Sequence, residues 1–163
     1  MKAVRAAGIF PAVAAGNSGS SCSSIYAPPA LYNASVTVGA TTSNNAIASF
    51  SSRGPVRQRG KLLIKPDISA PGQNIRAAVP GTGYESGWSG TSMATPHVAG
   101  AVALVWQAKP GLIGDVAATE SLLTSNAMHK KSSQNCGGVK GKHIPNNTFG
   151  YGILDILAAV QAP

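Results

Sequence analysis

Residues 90–100 (GTSMATPHVAG) hold the side chain best suited to covalent chemistry. A glycine-rich stretch precedes them, and the following uncharged residues predict a helix over 91–108. Ser92 would lie in its first turn, beside backbone N–H groups without helical partners and at the positive end of the helix dipole. A developing oxyanion needs such donors. A short Gly-Thr-Ser string alone would instead favour an ordinary helix cap.

A second segment supplies a side-chain amide. Residues 14–19 read Ala-Ala-Gly-Asn-Ser-Gly, and Asn17 directly follows a continuous apolar run over 9–15. An asparagine NH₂ group is an uncharged donor, so Asn17 could donate a hydrogen bond to an oxyanion. The run itself predicts a buried strand.

Together these two segments resemble the nucleophile and oxyanion motifs of the subtilisin-like serine proteases (subtilases). The resemblance identifies Ser92 as the nucleophile and Asn17 as the oxyanion donor, and implies a serine endopeptidase acting on a peptide or protein substrate. It also assigns Ala14, Ala15 and Gly16 to one wall of the pocket for the residue before the scissile bond. Further matches in the family's order cover nearly the whole chain: 36–40, 50–55 (FSSRGP), 65–72 (KPDISAPG) and 150–152 (GYG).

The subtilase triad also requires an aspartate and a histidine, and in the family both motifs precede the segment matched by 14–19. Neither motif occurs before Ser92. His97 is five residues further along the predicted helix, about 140° around its axis, and is expected to face away. His129 and His143 lie in a basic, polar region.

Residues 1–163 are therefore expected to be the carboxy-terminal part of a subtilase catalytic domain, without the amino-terminal part that carries the Asp and His motifs. This portion alone should be inactive, because a serine hydroxyl without a base is a weak nucleophile. The missing half would be a natural partner. The alternative is a non-catalytic pseudoenzyme or binding module that retains half of the fold.

The elements that must position these residues indicate an α/β fold. Short strand patterns at 9–15, 34–40, 66–70 and 74–79 precede helical patterns at 91–108, 115–127 and 151–162. We interpret these short strands and helices as an α/β fold with a parallel sheet, and the subtilase resemblance implies three layers with helices on both faces of an incomplete sheet. Helix 91–108 should be buried nearly all round, because residues 93–107 contain no Asp, Glu, Lys or Arg. With so few strands, the sheet should be incomplete and expose an edge.

The amino terminus has a second interpretation. Residues 1–16 imitate a short signal peptide, with Lys2 and Arg5 before an apolar stretch and an Ala-x-Ala site at 12–14. The strand interpretation is favoured, because the Ala-Gly-Asn match includes the end of this run.

Composition limits the other function classes. The 163 residues are 44% hydrophobic and only 11% charged, which argues against a disordered chain. The net charge of +8 raises the question of a polyanion partner. However, the basic clusters at 53–65 and 130–142 lack interleaved aromatics, so we interpret both as solvated loops and predict no nucleic-acid partner. No apolar run reaches the ~18 residues of a membrane helix, so no membrane partner is predicted.

The two cysteines, Cys22 and Cys136, each lie in a loop-type sequence context. They could be buried thiols, or they could form a disulfide bridge. No CxxC or HxxxH pairing accompanies them, so no metal site is predicted. We favour the bridge, which implies an oxidising compartment and a secreted parent protein. No cofactor is identifiable. The resemblance allows calcium, but the sequence names no ligands for it.

Overall fold

The chain folds around a small parallel sheet. A computed structural model describes all residues 1–163. In chain order the elements are α1 (Lys2–Ala6), β1 (Ala12–Ala14), β2 (Val36–Thr41), β3 (Val56–Gln58), β4 (Lys61–Leu63), β5 (Ile68–Pro71), β6 (Ile75–Ala78), β7 (Tyr84–Trp88), α2 (Thr91–Ala108), a 3₁₀ turn (Pro110–Leu112), α3 (Val116–Ser125) and α4 (Ile156–Gln161). The predicted α/β class and parallel sheet are confirmed.

Strands β1, β2 and β5 form the sheet in that order, all parallel. Side chains alternate across it, as the strand period requires. One face is apolar and joins the main core through Val36, Val38, Ala40, Ile68 and Ala70. The other face carries small polar side chains such as Thr37 and Ser69, both fully buried. We therefore expect a helix to pack against the apolar face.

Helix α2 covers that apolar face and contacts all three strands. Its inner side buries Ala94, Val98, Ala101, Val102 and Val105. The prediction that this helix is buried nearly all round is wrong, since residues 99, 100, 103 and 104 are exposed and Leu104 keeps 51% of its surface accessible. Neither side of this helix carries charged side chains, but within this chain only one side packs against the core. An uncharged helical surface is thus left facing outward.

One edge of the sheet is open, as expected. β1 pairs with β2 alone, through the backbone of Pro11 and Ala15 among others. Because hydrogen-bonding direction alternates along a strand, the backbone groups of Ala12 and Ala14 face the other side. At the opposite edge, Ser69 of β5 forms a parallel bridge to Ile153, which extends the sheet by one residue.

Two antiparallel hairpins lie outside the sheet, and the sequence patterns missed both. β3 pairs with β4, and β6 pairs with β7 through an irregular register between Ile75 and Ala77. The strand expected at 74–79 exists as β6, but it does not join the parallel sheet. The last helix begins at Ile156 rather than 151, because residues before it form bridges and the Asp155 side chain caps the helix by accepting from the Ala158 N–H.

The interpretation of 53–65 as a solvated basic loop is wrong at both of its ends. Arg53 is 6% exposed and Lys65 is 1% exposed. The Lys65 ammonium donates to the Ser35 carbonyl and pairs with Asp67, so its charge is compensated inside the protein. Arg57, Arg59 and Lys61 between them remain outside the core.

Cys22 and Cys136 form the predicted disulfide, with their Cα atoms 5.4 Å apart. The bond fastens the loop that follows Asn17 to the polar loop at 135–147. No helix combines the length and the hydrophobicity that crossing a bilayer requires.

Candidate active site

Ser92 lies in the first turn of α2, immediately after a tightly held glycine. Gly90 has φ +153°, and its N–H donates to the Gly72 carbonyl at 2.8 Å. The Gly90 carbonyl in turn accepts the first helical bonds, from Met93 at 3.0 Å and Ala94 at 3.4 Å. The Ser92 N–H, which precedes these donors, has no partner, as expected for the first helical turn. The Ser92 side chain is exposed and its hydroxyl is free of hydrogen bonds.

Asn17 is anchored at one end of its amide only. Its Oδ1 accepts from the Thr91 N–H at 2.9 Å and from the Thr91 hydroxyl at 3.0 Å. Its Nδ2 donates to nothing in the chain, and the residue is exposed. A β-carbon on Gly90 would lie 3.4 Å from Asn17 Nδ2 and 3.7 Å from the Ser92 nitrogen. Two free donors therefore border the same small space beside Gly90.

Thr91 connects the two predicted site residues, and sequence reasoning missed it. Besides holding Asn17, its buried hydroxyl accepts from the Gly16 N–H at 3.1 Å. One side chain thus fixes the loop after β1 against the start of α2. The available signal was the position of Thr91, since a threonine at a helix start can bond neighbouring backbone, but its distant partner is set by the fold.

Ala14, Ala15 and Gly16 lead from the end of β1 into this site. Ala15 is buried, while Ala14 and Gly16 are partly accessible. Gly16 has φ +102°, a conformation that side-chain-bearing residues rarely adopt. The structure therefore places these three residues next to Asn17.

His97 does not point fully away from Ser92 as expected, since both line one cleft, but no histidine is hydrogen-bonded to the serine. His97 Nδ1 donates to the Met93 carbonyl at 2.8 Å, one turn back on its own helix. His129 and His143 lie in the exposed segment after α3. None of the three forms a hydrogen bond with the Ser92 hydroxyl. The site of residues 1–163 thus contains a serine and oxyanion-type donors, and its serine has no base hydrogen-bonded to it.

A cleft of about 570 Å³ opens beside Ser92, between the β6–β7 hairpin and the first turns of α2. The hairpin supplies residues 75–80 and Trp88, and the helix supplies Ser92, Met93, Pro96 and His97. Residues 14–17 do not line it. The serine therefore stands between two separate surfaces, the end of β1 on one side and the hairpin cleft on the other.

A family model described as the subtilase family matches residues 2–152. The chain belongs to the subtilase family. It is 43% identical to bacillopeptidase F of Bacillus subtilis (strain 168), over 99% of this chain and 11% of that protein. It is 47% identical to subtilisin E of the same organism, over 94% of this chain and 34% of that protein.

The fold agrees with the family at the level of solved structures. The prenylagaramide maturation protease PagA superposes with a TM-score of 0.73 and 27% identity, covering 98% of this chain and 52% of that one. Subtilisin BL of Lederbergia lenta is 44% identical, and the chain covers 47% of it. This subtilase chain therefore spans about half or less of the proteins it matches.

The acidic side chains of this subtilase mostly make structural contacts. Four of the five have structural partners: Asp115 and Asp155 cap α3 and α4, Glu120 pairs with Arg5, and Asp67 pairs with Lys65. No group of three or more His, Cys, Asp or Glu side chains converges anywhere.

Asp67 is the most perturbed of the acids, and its role is structural. Burial raises the pKa of its carboxyl above the ordinary value of 3.8, while the Lys65 ammonium and the Thr37 N–H act in the opposite direction. Its carboxylate accepts from the Thr37 N–H at 2.6 Å, which joins β2 to the segment entering β5. Asp67 thus supports the sheet rather than the serine.

Proposed function

We propose that residues 1–163 form the carboxy-terminal part of the catalytic domain of a subtilisin-type serine endopeptidase. Ser92 is the nucleophile, and Asn17 Nδ2 and the Ser92 N–H are the oxyanion donors. The observation that carries this assignment is the one-sided anchoring of Asn17. Thr91 occupies both acceptor positions of its carbonyl oxygen, so the amide NH₂ is left free beside the Ser92 nitrogen.

The proposed reaction is hydrolysis of a peptide bond through an acyl-enzyme. The Ser92 oxygen bonds to the carbonyl carbon, and the carbonyl electron pair moves onto oxygen, where the two donors bind it. A base takes the hydroxyl proton and delivers it to the leaving amine as the C–N bond breaks. Water then attacks the acyl group and releases Ser92. Ala14, Ala15 and Gly16 form one wall of the pocket for the residue before the scissile bond.

The base and its orienting carboxylate belong, in this proposal, to residues outside 1–163. Two surfaces of the structure would receive that part of the protein: the open edge of β1 and the uncharged outer side of α2. An unpaired edge strand and an exposed uncharged helix are both unfavourable in water, which supports their being covered. Loss of the histidine alone costs ~2 × 10⁶ in kcat, a magnitude measured in a subtilisin rather than worked out from this structure.

The test compares two proteins in cleavage of casein and of a chromogenic peptide. One is residues 1–163 alone, and the other is the complete catalytic domain that this proposal assumes. We expect no cleavage by the first and cleavage by the second that Ser92→Ala abolishes. Ser121→Ala is the control, because Ser121 is likewise an exposed helical serine and lies outside the cleft, and this variant should keep its activity. Robust cleavage by 1–163 alone that Ser92→Ala abolishes would overturn the need for an outside base.

A non-catalytic binding module is the second candidate, favoured by the unassisted Ser92 hydroxyl. Size-exclusion chromatography with mass measurement separates the two. A module should be a discrete species that unfolds cooperatively on its own. A detached part of an enzyme should instead self-associate, because α2 and the β1 edge lack their cover.

We also propose that the parent protein is secreted. The Cys22–Cys136 disulfide requires an oxidising compartment to persist. One relative, 42% identical over 71% of this chain, is named minor extracellular protease Vpr of Bacillus subtilis (strain 168). Detection of the protein in culture medium with no free thiol under denaturing conditions would support secretion, and recovery only from cell contents with two free thiols would contradict it.

A further inference from the structure

One buried residue holds both chain neighbours of Asn17. The Ser52 N–H donates to the Gly16 carbonyl at 2.9 Å, and the Ser52 hydroxyl accepts from the Ser18 N–H at 3.0 Å. Ser52 is completely buried, whereas Asn17 and Ser18 are exposed. A turn on the surface is thus fastened to the interior at the residues before and after its functional side chain.

The packing beneath this turn leaves little room for movement. A β-carbon on Gly16 would lie 3.1 Å from the Ser52 oxygen, which is closer than ordinary van der Waals contact. One residue beyond the turn, the Gly19 N–H donates to the Phe50 carbonyl at 2.9 Å. The segment 50–52 therefore follows the Asn17 turn along its whole length.

The two ends of Asn17 are consequently fixed by different residues. Thr91 holds the side-chain oxygen, and Ser52 holds the backbone on either side of the Cα atom. A donor aimed at a developing charge is effective when it needs no reorganisation, and small misplacements are costly. We infer that Ser52 is a positioning residue for the oxyanion donor Asn17, an inference that rests on the proposed function of Asn17.

Ser51, the residue before Ser52, provides a matched control for the Ser52→Ala variant. It is also completely buried, and its hydroxyl also accepts from a backbone N–H, that of Ala40 in β2 at 3.0 Å. Ser51→Ala and Ser52→Ala remove the same atom from the same kind of environment. They differ in what the hydroxyl held: a strand of the sheet for Ser51, and the Asn17 turn for Ser52.

The first experiment reads the position of Asn17 without catalysis. In ¹H–¹⁵N spectra of the protein, the side-chain NH₂ pair of Asn17 is assigned by its loss in Asn17→Asp. We expect Ser52→Ala to shift or broaden this pair and Ser51→Ala to leave it in place. If Ser52→Ala is too unstable to measure, Ser52→Cys replaces the hydroxyl with a larger and weaker acceptor and should also shift or broaden this pair. An unchanged Asn17 pair in the folded Ser52 variants would overturn the inference.

The second experiment measures turnover in the complete catalytic domain that the proposed function assumes. Ser52→Ala should lower kcat about fivefold, as expected for the loss of one ordinary hydrogen bond, with KM within about twofold. In the Asn17→Ala background it should have no further effect on kcat. Ser51→Ala should lower the melting temperature but retain kcat.

The two hypotheses fail in different ways. If Asn17→Ala leaves kcat unchanged, the proposed oxyanion role of Asn17 is wrong, and the spectra still decide whether Ser52 positions it. If Asn17→Ala lowers kcat while Ser52→Ala does not, the oxyanion role stands and the inference about Ser52 is wrong.

Discussion

Removal of the Cys22–Cys136 disulfide should have a large effect on stability. We consider the double variant Cys22→Ser/Cys136→Ser, which removes the bond without leaving a thiol. The bond joins residues 114 positions apart, and its Cα–Cα distance of 5.4 Å is ordinary for a disulfide. It therefore closes a loop that contains most of the chain.

The magnitude follows from the length of that loop. In the chain-entropy model, a cross-link that closes a loop of this size lowers the entropy of the unfolded chain. The folded state is thereby stabilised by about 5 kcal/mol relative to the unfolded state. Residual structure in the unfolded chain reduces this, so we expect a loss of roughly 3–5 kcal/mol. Since domains are typically stable by only ~5–15 kcal/mol, a large share of the free energy of unfolding is at stake.

The assay is guanidinium denaturation followed by tryptophan fluorescence, comparing the oxidised protein with the double variant. The oxidised protein treated with reductant is the control, and it should unfold at the same denaturant concentration as the double variant. A difference below about 1 kcal/mol in the free energy of unfolding would refute the reasoning, because it would mean that the bond constrains the unfolded chain very little.

Three further predictions concern single side chains. Thr91→Val should destabilise the protein by about 1–3 kcal/mol, because the Gly16 N–H loses its partner; thermal unfolding tests this. In the complete catalytic domain proposed above, the same change should lower kcat with little change in KM in steady-state kinetics. The pKa of Asp67 is raised above 3.8 in the folded protein, so the folded state keeps a proton that the unfolded state has lost. Stability contributed by this group therefore falls as pH rises from about 3.8 through the folded pKa, and Asp67→Asn should remove that slope from unfolding free energies measured between about pH 3 and 7. Asp115→Ala should cost about 1 kcal/mol, since the Ala118 N–H loses its cap at 2.9 Å, whereas exposed Glu85→Ala should change the denaturation midpoint very little.

The sequence correctly predicted the main elements around the candidate site. The bounds of α2 and the position of Ser92 in its first turn followed from local features: a glycine-rich stretch, a long uncharged run and a serine at its start. The strand leading to Asn17 and the disulfide partners were also predicted correctly. In each case, the information lay in a few neighbouring residues or in the only available pairing of two cysteines.

What the sequence did not predict depends on distant contacts. Thr91 binds the Asn17 side chain from 74 positions further along the chain. Ser52 binds Ser18, the residue after Asn17, from 34 positions further along. The hairpin β6–β7 was missed because its glycines predict loops. Arg53 and Lys65 were placed in solvent because burial of a charge needs a partner, and their partners are supplied by the fold.

The buried ammonium of Lys65 has a consequence for chemical labelling. It is the only one of the chain's eight lysines that is buried, with 1% of its side chain accessible, and it is held by the Ser35 carbonyl and Asp67. An amine-reactive reagent would modify the other lysines on contact but reach Lys65 only when the segment entering β5 opens. The acylation rate of Lys65 therefore reports how often this part of the sheet opens under native conditions. Mass spectrometry can measure that rate without any denaturant.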